Sequence, residues 1–196
     1  MNNQKECIIQ AAIRAVRLHG MDGVRMQHIG KLANTTPSNI YPYFKGKEEL
    51  LRSCFEYVDH EIARIFDTVQ VDPQLLKSDL EGEVCKMWTA YWRWFMDHPD
   101  ETVFYHLFRD WSGFPEYERR RDTSHFASYI QSIKLIAAQC PNLCSIPVDL
   151  FCLYVLNMTI MSAKLVAQGT LENSKETESA VFALIMHGLA GLLAGT

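Results

Sequence analysis

The sequence predicts an all-α protein: an N-terminal three-helix helix-turn-helix head followed by a C-terminal helical bundle body, about nine helices in total. Three observations carry this. Apolar residues recur at helical spacing almost throughout, no run alternates at period two for long enough to build a sheet, and Gly, Pro and Asn clusters punctuate the chain at helix-length intervals. The 196 residues are 48% hydrophobic and 21% charged, enough to bury a core and too apolar for a disordered chain.

The head comes first. Residues 5–19 put Ile8, Ile9, Ala12, Val16 and His19 on one face with Arg14 and Arg17 opposite, and Gly20 stops that helix. A second short helix runs from about Met26 to Ala33, with Ile29, Leu32 and Ala33 inward. Asn34 tolerates the left-handed conformation of a tight turn. Thr36 is placed to cap a third helix with its hydroxyl, and Pro37 sits at the first position, where a missing N–H costs nothing. Helix, short turn and helix is the pattern of a helix-turn-helix. Pro42 conflicts with a third helix that continues, because it lacks the N–H for the Ser38 carbonyl and crowds it, at about 3 kcal/mol in a helix interior. A locally distorted helix is expected there.

A fourth helix opens at Lys47 and runs to about Thr68 on a stripe of Leu50, Leu51, Phe55, Val58, Ile62 and Phe66. Five helices should follow, at about 74–97, 100–111, 115–139, 147–168 and 176–194. The expected division is a DNA-binding head, residues 1–46, and a ligand-binding and dimerisation body, residues 47–196, with 47–68 as the connecting helix.

Charge separates these two parts. Residues 1–47 hold seven Lys and Arg against Glu6 and Asp22, a net +5; the rest hold 12 against 21, a net −9. A basic head on an acidic body suits a polyanion met by the head alone. The opening "MNNQKECIIQ" puts charge and amides where a signal peptide needs an apolar core, so a cytoplasmic location is expected. In a reducing compartment the six scattered cysteines read as small buried hydrophobes, with a redox pair at Cys140 and Cys144 as the alternative.

The stretch "AVFALIMHGLAGLLA", residues 180–194, is apolar on all sides, and residues 150–167 are nearly so. Fifteen residues fall short of the ~20 a bilayer needs. Such helices instead need a second surface, which a twin chain supplies, with Gly188 and Gly191 allowing close approach. Leu150, Tyr154, Met161, Phe182, Leu189 and Leu192 are the candidate dimer residues. The body is also rich in aromatics. Met87, Trp88, Tyr91, Trp94, Phe104, Phe108, Trp111, Asn157, Met158 and Met161 form the candidate ligand pocket; each alone reads as core, but together they line more apolar volume than a bundle this size requires. Asn157, Thr159 or His106 could orient a lipophilic or aromatic ligand.

The segment "IGKLANTTPSNIYPYFKGKEELL" resembles the TetR/AcrR (tetracycline-repressor-like) family signature. Ile29, Ala33, Tyr41, Tyr43, Phe44, Lys47, Glu48 and Leu50 match, Thr36 stands for Ser, and Ile40 for Leu. The resemblance covers residues 5–55. It implies a dimeric transcriptional regulator, a repressor, with the third helix in the major groove of operator DNA and a small-molecule inducer in the body. By position it implies that Asn39 reads a base edge, that Tyr41 and Tyr43 touch phosphate or base, and that Lys47 holds the DNA backbone. Arg25, Thr36, Pro37, Ser38 and Pro42 complete the DNA-facing set. Arg25 departs from the family's usual Ser or Thr cap, and Pro42 replaces an aromatic with a rigid apolar surface suited to a thymine methyl. No Gly-rich phosphate loop, nucleophile elbow or H-E-x-x-H occurs, and His98, His106 and His125 lack metal-ligand spacing, so neither enzyme activity nor a cofactor is expected.

Overall fold

In the computed structural model of the chain, residues 3–120, 122–139 and 147–193 are described, with the backbone alone for residues 3, 148, 149 and 189–193. Ten α-helices follow in order: α1 (Asn3–Gly23), α2 (Met26–Leu32), α3 (Pro37–Ile40), α4 (Lys47–Thr68), α5 (Leu80–Asp97), α6 (Pro99–Arg109), α7 (Phe114–Glu118), α8 (Ala127–Gln139), α9 (Val148–Ala167) and α10 (Lys175–Leu193). No strand occurs among the described residues. The all-α class is as the periodicity predicts, with one expected helix divided.

The predicted helix over 115–139 is two, α7 and α8, joined by polar chain and a 3₁₀ turn at Ser124–Phe126. There the Asp122 carboxylate accepts the Ser124 N–H at 2.8 Å, a local bond that competes with helix continuation. The expected start at residue 74 is likewise a separate 3₁₀ turn, Leu75–Lys77. Asp79 then opens α5 by accepting the Gly82 N–H at 2.9 Å.

The chain forms two compact units, Met1–Glu61 with His98–Arg121, and Ile62–Asp97 with Asp122–Thr196. In the first, α1 buries Ile8, Ala12, Ile13 and Val16 completely. Gly20 has φ 71°, so the glycine breaks the helix as expected, yet helical turns resume to Gly23. Later in sequence, α6 and α7 return to this unit. Their rings gather on Phe55 of α4: Tyr105 stacks on it at 4.7 Å, Phe108 at 4.8 Å, and Phe114 and Tyr117 meet it edge-on. The Tyr105 hydroxyl donates to the buried Asp59 carboxylate at 2.7 Å, and an Arg17–Asp100 ion pair ties α1 to α6.

The second unit holds the end of α4 with α5, α8, α9 and α10. Trp88 is central: it stacks on Trp92, lies 5.1 Å from Phe182, and its indole N–H donates to Thr159 Oγ1 at 3.0 Å. Phe66 packs against Tyr91 and Tyr129. Leu150–Ala167 is long and apolar enough by composition to cross a bilayer, although the Trp88–Thr159 bond turns one face of it inward. Leu150 and Leu184 remain 58% and 60% exposed, so these helices keep apolar surface that the described residues do not cover.

Candidate DNA-binding site

The site begins at the turn between α2 and α3. Asn34 has φ 51°, and it alone among the described non-glycine residues has a positive φ. It ends α2 in a left-handed cap: the Thr35 N–H donates to the Gly30 carbonyl at 2.8 Å, and the Asn34 N–H donates to that of Lys31 at 3.4 Å. Gly30 makes room for this return, since a Cβ there would stand 2.9 Å from the Thr35 carbonyl oxygen. The resemblance places no weight on Gly30; its need appears only once the turn is folded.

Thr36 takes the N-cap position of α3 with extended backbone, but its side chain makes no cap bond, contrary to the expected hydroxyl cap. Pro37 needs none at that position, and the backbone bond from Asn39 N–H to the Thr36 carbonyl at 3.0 Å starts the turn instead. Asn39 donates its side-chain amide to Thr35 Oγ1 at 3.2 Å, which orients it from the helix.

Pro42 decides where α3 stops. The regular helix ends at Ile40, and the chain continues as a tight turn in which Tyr43 and Phe44 N–H groups both donate to the Ile40 carbonyl, at 2.9 and 3.1 Å. The distortion is therefore an early ending rather than a kink. Ile40 and Phe44 are buried and anchor the two sides of this turn. Thr36, Ser38, Asn39, Tyr41 and Pro42 are exposed, with Pro37 and Tyr43 half-buried. Arg25 is exposed at the start of α2 and makes no side-chain cap bond.

Lys47 has partners that sequence reasoning missed. Its ammonium donates to the carbonyls of Met21 and Val24, at 3.2 and 3.3 Å. α1 carries no basic residue in its own last turn, so Lys47 supplies the positive charge that the end of that helix favours. One of three ammonium protons stays available for a phosphate. No sequence signal could show this, because the partners lie 23 and 26 residues away. Glu49 reaches back to accept the Lys45 N–H at 2.8 Å, which fixes the start of α4.

Nearby, His19 of α1 stacks on His28 of α2 with ring centroids 4.1 Å apart. Desolvation, then His19, then Arg25 hold the pKa of His28 below its ordinary value.

Residues 8–54, which contain this whole surface, match the family model described as bacterial regulatory proteins, tetR family. That segment is a TetR-family helix-turn-helix domain. It is 27% identical over 96 residues to the HTH-type transcriptional repressor NicS of Pseudomonas putida, a match spanning 49% of this chain and 43% of that protein. The chain thus spans under half the length of that curated relative. Its fold resembles a TetR family transcription regulator from Marinobacter aquaeolei VT8, with TM-score 0.72, 21% identity and 93% of both chains covered. It also resembles the transcriptional regulator FadR from Bacillus subtilis in complex with stearoyl-CoA, with TM-score 0.65, 16% identity, and 97% and 98% covered. Within the matched segment the helix-turn-helix is Met26–Ile40.

The remaining candidates are spread more widely. Met87, Trp88 and Tyr91 are buried and Trp94 half-buried in the second unit, where Met158 is half-buried, while Asn157 and Met161 are exposed. Phe104 and Phe108 are instead buried in the first unit's aromatic cluster, and Trp111 is half-buried there. His106, also in that unit, is buried with its Nδ1 3.0 Å from Asp110. Thr159 is buried on Trp88. Of the dimer candidates, Leu150 and Met161 are exposed and Tyr154 and Phe182 half-buried. Tyr154 lies over Gly188, whose Cβ would meet its hydroxyl. The side chains of Leu189 and Leu192, and the segment holding Cys140 and Cys144, lie outside the described residues. Among the described residues no group of three or more His, Cys, Asp or Glu could hold a metal ion.

Proposed function

We propose that the chain is a ligand-responsive transcriptional repressor, cytoplasmic and without catalytic activity, that binds operator DNA as a homodimer. The observation that carries this reading is the exposed surface of Thr36, Ser38, Asn39, Tyr41 and Pro42 beside Lys47, within the segment that matches the family. Asn39 presents donor and acceptor together, the pair that reads adenine in the major groove. Tyr41, Tyr43, Arg25 and Lys47 suit phosphate oxygens, which fix register without reading sequence. Residues 1–46 act as the DNA-binding part and 47–196 as the ligand-binding and dimerisation part.

The inducer is a lipophilic or aromatic molecule held at Met87, Trp88, Tyr91, Trp94 and Met158. Two observations support this: the aromatic interior of the second unit, with Met87 buried in it, and the stearoyl-CoA bound to a regulator of similar fold.

DNA recovered from a random pool by the full chain tests the head. Asn39→Ala should cost about 1–3 kcal/mol on the selected site and little on random DNA. Lys47→Ala should weaken both alike and make the salt slope shallower by about one unit. Equal losses on both DNAs for Asn39→Ala would remove its reading role.

A further inference from the structure

We propose that the first unit contains a second small-molecule site that binds a small aromatic cation, apart from Met87, Trp88, Tyr91, Trp94 and Met158 but taking in Phe108 and Trp111 of the ligand-pocket residues expected from sequence. It is a pocket of about 140 Å³ lined by Met21 and Asp22 of α1, Lys47, Glu48 and Leu51 of α4, Phe108 of α6, and Trp111 just beyond it. The inference does not depend on the repressor reading.

Size comes first. The pocket is well below the roughly 300–1,000 Å³ of sites for drug-sized ligands, but close to the about 150 Å³ of an apolar cavity that takes benzene. It therefore suits one ring rather than an acyl chain.

Wall chemistry gives the class of ring. Met21, Leu51, Phe108 and Trp111 offer apolar and aromatic contact, and an indole is the best aromatic face for a cation. Two carboxylates, Asp22 and Glu48, stand against one ammonium, Lys47, so the lining is net negative by one formal charge. Lys47 gives two of its three protons to the Met21 and Val24 carbonyls, and the two carboxylates outnumber its single charge. Glu48 is partly satisfied by Arg52 at 2.6 Å, so Asp22, exposed at the mouth, is the main anchor for a ligand's positive group. The occupant would touch the end of α1, the start of α4 and the end of α6 together.

The probes are benzylammonium, benzyl alcohol and benzoate, titrated into the full chain by calorimetry and by amide NMR at fixed ionic strength. Benzylammonium should bind best, roughly fivefold tighter than benzyl alcohol, with benzoate weakest. Shifts should centre on the Trp111 indole and the Met21, Asp22 and Leu51 amides. Asp22→Asn should abolish the preference for the cation over the alcohol, and Trp111→Leu should weaken both. Asp22 is exposed, so that variant is informative even if Trp111→Leu fails to fold. No binding of benzylammonium, benzoate bound as tightly, or a full cation preference kept in Asp22→Asn would each overturn the proposal.

Discussion

His28 shows how one side chain makes the head sensitive to pH. Its pKa is lowered by desolvation, by His19 stacked above it and by Arg25, so the folded state favours the neutral ring. The stability this contributes is present above the unfolded value of about 6.5 and is lost as pH falls through the lowered folded value. The melting temperature should therefore fall between neutral pH and roughly pH 5 by more in the native chain than in a His28→Gln variant. Equal falls measured by circular dichroism would show that the His19–His28 stack is not a titrating element. At the same scale Lys47→Ala removes two bonds, to the Met21 carbonyl at the end of α1 and the Val24 carbonyl just beyond it, along with the proposed phosphate contact. Its effect on DNA binding must be read on protein shown to be folded.

At the scale of an element, Pro42 fixes the length of α3. The regular helix stops at Ile40, and the Ile40 carbonyl collects the N–H groups of both Tyr43 and Phe44. Pro42→Ala restores the donor that the Ser38 carbonyl lacks and removes the ring that crowds it. α3 should then extend toward Tyr43, seen as slower hydrogen exchange at the new residue-42 amide. Because Tyr41 and Tyr43 would turn about the helix axis, the variant should select a different DNA site from a random pool. An unchanged selected site would show that Pro42 has no part in reading sequence.

For the whole molecule, two expectations concern assembly and coupling. Leu150, Leu153 and Met161 are exposed on α9 at spacings of three and eight, and Leu184 is exposed on α10. A helix apolar on both sides needs a second cover, and a twin chain offers the same face in return. Leu184→Glu should give monomers or aggregates by light scattering; a soluble dimer would move the interface elsewhere. Coupling would run through α4, a single helix of 22 residues and so roughly 33 Å long, which begins at Lys47 in the first unit and ends at Thr68 in the second. On the proposed reading, an inducer must bind more tightly to a state whose two heads no longer match successive major grooves about 34–36 Å apart, since equal affinity shifts nothing. Operator DNA should then weaken inducer binding by the same factor by which inducer weakens DNA binding. The check is to screen aromatic and lipophilic compounds for release of a fluorescent operator and measure each hit's affinity with and without DNA. A hit bound equally in both is not the inducer.

The sequence by itself determined what depends on neighbours along the chain. Helical period dictated the all-α class and the helix from Lys47 through Thr68, Asn34 the left-handed turn and Gly20 the break in α1, because each follows from local sterics or periodic burial. Tertiary structure decided what depends on distant neighbours. The Lys47 ammonium finds carbonyls at and just beyond the end of α1, Gly30 must yield to the Thr35 carbonyl, and α6 and α7 return to pack on Phe55 in the same unit as the helix-turn-helix. Aromatic residues could be recognised as a group in sequence, but not divided between Phe55 and Trp88. Burial gives every apolar ring the same signal, and only the folded chain says which rings it joins.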